Sequence, residues 1–187
     1  MRMHEITRLD EFKILTDKDI DLTQKQLTTL PQTSDHISGD FMCGGNKLSN
    51  LSGAPASVGR DFVCSYNQIS SLSDAPSSAG NFDCSNNKIT SLNGIKIDVD
   101  GIFDCSNNKI TSLVGIEKQI SCRTFTFDVN MITKGGIGLI YIESLAYISD
   151  RHPAFKIIKK YLRKGNKGFN QCRQELTQNG YEDYAAL

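Results

Sequence analysis

The residues of this chain best suited to metal binding, disulfide formation or nucleophilic attack are six cysteines and three histidines. Their spacing argues against each of these uses. Cys43, Cys64, Cys84 and Cys105 recur at intervals of 21, 20 and 21 residues, and Cys122 and Cys172 stand alone. Zinc sites draw on CxxC or CxxH pairs, which do not occur here, and His4, His36 and His152 lie at no ligand spacing from a cysteine. A free cysteine behaves as a small hydrophobe, so the recurring thiols are expected to be reduced core residues, a usage that fits a cytoplasmic setting. No GxSxG nucleophile motif is present, and the GGIG at Gly135 lacks the Lys-Ser/Thr of a phosphate loop. The expectation is a non-enzymatic chain with no cofactor and no metal.

Two groups of charges remain. Asp40 and Asp61 immediately precede a recurring Phe, Asp83 and Asp104 immediately follow it, and Asp128 occupies a later slot. If the Phe points inward on a strand, its neighbours point outward, and the five carboxylates decorate one face. Like charges opposite one another on adjacent strands are destabilising, so this row is expected to serve binding, with Met42, Val63, Tyr66 and Ile102 adding apolar contact. The partner it fits is a basic protein segment. The bland alternative is a solvated polar row. The second group is basic: Arg151, Lys156, Lys159, Lys160, Arg163, Lys164, Lys167 and Arg173 occur with no acid between them. Such a block can bind phosphates or an acidic partner, with Tyr161 and Phe169 for stacking. It can equally be the wet side of a helix whose Phe155, Ile158 and Leu162 face inward.

What must position these residues is a repeat. FMCGGNKLSNL from Phe41, FVCSYNQISSL from Phe62 and FDCSNNKITSL from both Phe82 and Phe103 superpose almost without gaps. A degenerate copy, FTFDVNMI, starts at Phe125, and another, IDLTQKQLTTL, starts at Ile20. Phe and Cys two apart share the inner face of a strand. Asn46, Asn67, Asn87, Asn108 and Asn130 fall where the chain leaves it, and a buried amide there can satisfy backbone groups that the bend leaves unpaired. Gly39, Gly59, Gly80 and Gly101 mark the approach to each strand, where a positive φ or a missing side chain is needed. Pro31, Pro55 and Pro76 imply an extended return leg.

The shared pattern, aromatic-x-Cys-x-x-Asn-x-Ile/Leu-x-x-Leu, resembles the LxLxxNxL core of leucine-rich repeats, with Phe and Cys replacing two leucines. The linkers SLSDAPSSAGN and NLSGAPASVGR are similar to the short 20–21-residue bacterial and phage type, seen in the repeat domains of bacterial effectors and in uncharacterised tailed-phage proteins. The resemblance covers about 60% of the chain. It implies an α/β repeat solenoid, an arc with a parallel concave sheet closed by caps. Some effectors of this type carry a ubiquitin-ligase domain with a catalytic cysteine, but that domain is far larger than the residues left here, and NQCRQE around Cys172 does not match its motif.

Six copies, the first and last degenerate, are assigned to residues 20–133. Residues 1–19, with Ile6, Leu9, Phe12 and Leu15 at helical spacing, are expected to form an N-terminal cap. Residues 134–187 are expected to form a helical C-terminal cap, with helices over Ile137–Ser149, Pro153–Leu162 and Phe169–Gln178.

With 21 basic and 21 acidic side chains and a pI near 6.8, the chain is no general nucleic-acid coat. No apolar run reaches signal-peptide or membrane-spanning length, so neither membrane contact nor export is expected. Repeat solenoids present wide surfaces for protein recognition. The expected function is a protein-binding module, encoded by a phage, that docks on a host protein such as a defence or nucleic-acid machine and modulates it in the host cytoplasm. A nucleic-acid-associated protein acting through its basic helices and a self-associating structural protein are the alternatives.

Overall fold

The computed structural model describes residues 18–128, 131–142, 145, 147–148 and 151–187, and of 165 and 166 the backbone only. The expected N-terminal helix and the position of Asn130 lie outside the described residues.

The chain winds into a parallel-sheet solenoid. Among the described residues its main sheet has seven strands, all parallel and in chain order: Ile20–Asp21, Phe41–Met42, Asp61–Val63, Asn81–Asp83, Ile102–Asp104, Thr124–Thr126 and Tyr147–Ile148. The register follows the repeat: Phe41 pairs with Phe62, Phe62 with Phe82, Phe82 with Phe103 and Phe103 with Phe125. Each winding is called a turn here and is numbered by its strand.

Alternation along these short strands makes the core. The five aromatic rings form a near-parallel stack, with centroids 5.1–5.5 Å apart and planes within 20° of parallel. Such contacts add about 0.5–1.5 kcal/mol each beyond the area they bury. Cys43, Cys64, Cys84 and Cys105 form a second inward column, and all six cysteines are buried and unbridged. Burial pushes the Cys43 thiol up to about 12 and those of Cys64, Cys84 and Cys105 well above the ordinary range. The thiols therefore pack as neutral groups, as expected of core residues.

The return leg is extended, as the prolines imply. It forms short parallel sheets of its own: His36–Ile37 with Ser57–Val58, and Ser78–Ala79 with Ile97–Val99 and Ile120–Ser121. Close approach explains the recurring glycines. A Cβ on Gly59 would lie 2.5 Å from the Ser38 carbonyl oxygen, and one on Gly80 would lie 2.9 Å from that of Arg60. The requirement at these two positions is a missing side chain, not a positive φ.

Past residue 133 the structure departs from the helical expectation. A 3₁₀ segment, Ile137–Tyr141, leads into the strand Tyr147–Ile148, which pairs with Thr124 and Phe125 and extends the sheet. Two helices follow, α1 (Pro153–Lys159) and α2 (Gly165–Gln178). The ring stack bends toward them: Phe127 lies 5.2 Å from Phe125 and meets Phe155 of α1 edge-on at 5.0 Å. Ala154, Phe155, Ile157 and Ile158 of α1 are buried, as are Phe169, Cys172 and Leu176 of α2. No helix among the described residues is long and apolar enough to cross a membrane.

Candidate functional site

The outward positions of the main sheet fall into two columns. One precedes the inward ring and contains Asp40, Asp61, Asn81 and Ile102; the other follows it and contains Asp21, Met42, Val63, Asp83 and Asp104. Of the nine residues assigned to the face, seven stand in these columns and Tyr66 follows the end of the third strand. Asp128 lies apart, beyond the sixth strand, where its Oδ2 accepts from the Asn108 amide at 3.3 Å.

The carboxylates are not a free acidic row. In the first column each side chain serves the next turn. Asp40 Oδ1 accepts from the Asp61 amide at 3.1 Å and lies 3.5 Å from Arg60 Nε. Asp61 Oδ1 accepts from Asn81 Nδ2 at 2.8 Å, and Asn81 Oδ1 accepts from the Ile102 amide at 2.8 Å. In the second column the bonds are local. Asp83 Oδ1 accepts from the Ser85 amide and Asp104 Oδ1 from the Ser106 amide, each at 2.9 Å, where the chain turns off the strand. Expected like-charge repulsion is offset by these bonds, since a carboxylate accepting backbone N–H groups is well satisfied. The inference that stability alone would not select the row is therefore corrected.

The apolar members stand out more. Tyr66 is 67% exposed, Ile102 47% and Met42 38%, although every inward position of these turns is buried. Tyr66 also has unusual backbone. The places in register with it have φ of 56° at Gln24, 68° at Gly45, 56° at Asn86 and 53° at Asn107, and Tyr66 has 56°. Glycine and asparagine accept this left-handed region; a large aromatic residue there is an outlier.

The basic block is largely engaged. Lys160 forms an ion pair with Glu175, whose other oxygen accepts from the Tyr161 hydroxyl at 2.7 Å. These two bonds hold the Glu175 carboxyl below its ordinary range. Lys159 lies over the Tyr147 ring and Lys164 over the Tyr161 ring, about 5 Å from each centroid. Arg163 Nε donates to the Leu145 carbonyl at 3.2 Å. Lys156 and Lys167 are exposed. Lys160 thus links the end of α1 to α2 and Lys159 reaches the last strand, while Lys160, Arg163 and Lys164 remain exposed like Lys156 and Lys167.

Sequence reasoning missed Asp21, Gln24, Gln26, Gly44 and Gly45, which surround Met42, Val63 and Tyr66. Together they line one open depression, except Asp21, which flanks it as the neighbour of Met42 in register. The signal was present: Gly44–Gly45 stands where later copies have Ser followed by Tyr or Asn. Compared with family models, with curated proteins and with solved structures, the chain finds no match in any of the three.

Proposed function

We propose that the chain is a non-enzymatic protein-binding module of the leucine-rich-repeat type, which uses the outward face of its main sheet. Its biological setting is that of a phage-encoded factor that docks on a host protein, such as a defence or nucleic-acid machine, and modulates it in the host cytoplasm. The observation that carries this reading is the set of exposed apolar side chains, Met42, Tyr66 and Ile102, on a face whose inward positions are all sealed. Exposed aromatic anchors beside fixed polar groups are the composition of interface hot spots. A rigid, hydrogen-bonded sheet also keeps the ordering cost of association low. The two terminal helices act as a cap on the solenoid. The nucleic-acid alternative has less support, because four of its six proposed cations already contact a carboxylate, a carbonyl or a ring of the chain itself.

The test is affinity capture from a host lysate by the intact chain, by a Met42→Ser/Ile102→Thr variant and by a Lys156→Gln/Lys167→Gln variant. A partner captured by the intact chain, weakened by the first variant and retained by the second supports the reading. No captured protein, or one lost only with the lysine changes, overturns it.

A further inference from the structure

The sharpest departure from the repeat lies in the second turn. Later turns place Ser65–Tyr66, Ser85–Asn86 and Ser106–Asn107 after the recurring Cys, whereas the second turn has Gly44–Gly45. Two side chains are therefore missing at successive register positions. Gly45 donates to the Ser65 carbonyl of the third turn at 2.9 Å, and Gln24 of the first turn donates to the Gly44 carbonyl at 3.1 Å. The gap thus lies between Gln24 and Gln26 on one side and Tyr66 on the other, an open notch of about 680 Å³ with Met42 and Val63 along its sheet side.

As a bare surface this notch is costly. Gln24, Gln26 and Tyr66 all have positive φ, at 56°, 63° and 56°. An Asn in place of Tyr66, as at Asn86 and Asn107, would accept the same backbone more readily and leave no ring in water. Strain retained together with an exposed aromatic residue points to a role outside folding.

Charge identifies the occupant. Along the second outward column the order is Asp21, Met42, Val63, Asp83, Asp104, so an apolar pair is bracketed by carboxylates at a strand spacing of about 4.8 Å. These carboxylates are held in place by the amides of Thr23, Ser85 and Ser106. The flanks favour cations and repel phosphates.

Resting on the protein-binding reading above, we propose that the Gly44–Gly45 notch is the recognition site for a segment of the partner protein. An apolar side chain of that segment fills the space beside Tyr66. Its flanking Lys or Arg residues meet Asp21 on one side and Asp83 and Asp104 on the other. The side-chain amides of Gln24 and Gln26 offer donors and acceptors to the segment's backbone.

The experiment pans a displayed library of random peptides against the intact chain and then measures the selected peptides on two variants. Gly44→Ser/Gly45→Asn/Tyr66→Asn fills the notch by giving the second and third turns the residues that the fifth already carries in register. A Cβ on Gly44 would lie 3.2 Å from the Ser65 carbonyl oxygen and one on Gly45 3.0 Å from Gln24 Cγ, so circular dichroism and thermal unfolding first establish that this variant folds. Asp83→Asn/Asp104→Asn keeps the acceptor oxygens and removes the charge. Enriched peptides are expected to carry an apolar residue flanked by Lys or Arg, to lose at least about tenfold in affinity on the first variant and to weaken on the second at low salt. Enriched peptides that bind the filled notch as tightly as the intact chain, or no enrichment at all, overturn the proposal. The broader reading is judged separately: a lysate partner that still binds the filled variant sinks the notch alone, whereas the absence of any captured partner sinks protein binding itself.

Discussion

Asn87 Nδ2 reaches back one turn and donates to the Cys64 carbonyl at 3.0 Å. It also donates to Cys84 of its own turn at 3.1 Å, and its Oδ1 accepts from the Ile69 amide at 2.9 Å. Asn67 and Asn108 repeat the arrangement, tying each turn to the one before. One buried side chain per turn thus closes the backbone groups opened where the chain leaves the sheet.

Asn87→Ala is therefore expected to be severe. It leaves the Ile69 amide and the Cys64 and Cys84 carbonyls short of partners inside the core, at about 1–3 kcal/mol for each group left unpaired. Asn87→Asp keeps the acceptor but loses the donors and places a charge in a dry site, so it should be no better. Urea unfolding followed by far-UV circular dichroism measures both. A loss below about 1 kcal/mol would mean that the asparagine ladder does not hold the turns together.

The thiol column supplies a second expectation. Burial keeps these cysteines protonated, with Cys43 pushed up to about 12, and only the thiolate reacts readily. In the native chain at about pH 8, Cys43, Cys64, Cys84 and Cys105 should resist an aromatic disulfide reagent. They should then label together at the denaturant concentration at which the sheet unfolds. Mass spectrometry of the labelled chain checks this. Stepwise labelling in native buffer would place the column in contact with water.

How legible the fold was depends on how each residue reports its neighbours. Phe, Cys and Asn recur once per turn and each has one environment, so their positions on strand and bend follow from period alone. Leu139, Ile142, Leu145 and Ile148 are buried at every third residue, a spacing that a helix and this coil share, so period alone does not separate the strand Tyr147–Ile148 from helix. The acceptor role of the aspartates was not legible, because it depends on an amide in the next turn or at the strand end, which composition does not show. The notch was legible only as an absence, two glycines where four copies are averaged into a consensus.

The Asp40 bond to the Asp61 amide separates charge from acceptance. Asp40→Asn retains an oxygen in the same place and should change stability little, whereas Asp40→Ala should cost about 1 kcal/mol for the lost bond. Thermal unfolding of the two variants is the measurement. Equal destabilisation by both would assign the effect to the charge of Asp40, acting in the Arg60 ion pair and in the charge-assisted amide bond, and not to the acceptor oxygen alone.

The helix pair provides a pH signature. The Glu175 carboxyl is held below its ordinary range by the Lys160 and Tyr161 hydrogen bonds. A depressed folded value contributes stability that is present above the unfolded value, near 4.3, and is lost as pH falls through the folded one. The difference in melting temperature between the intact chain and Glu175→Gln should therefore be constant from about pH 5 to 8 and shrink below about pH 4. A difference independent of pH would mean that the glutamate acts through packing and not through its charge.

Tyr66 connects stability with binding, and the two should move in opposite directions. Its φ of 56° carries a penalty for a bulky side chain that Asn tolerates better, and two-thirds of its surface is exposed, so little packing is lost when the ring is removed. Tyr66→Asn is expected to stabilise the isolated chain by about 0.5–1 kcal/mol while weakening partner capture. Tyr66→Phe separates ring from hydroxyl: it keeps the strain and the apolar surface, and should retain most of the capture. If Tyr66→Asn instead lowers the melting temperature, the ring contributes to the fold and its exposure loses its significance as a mark of binding.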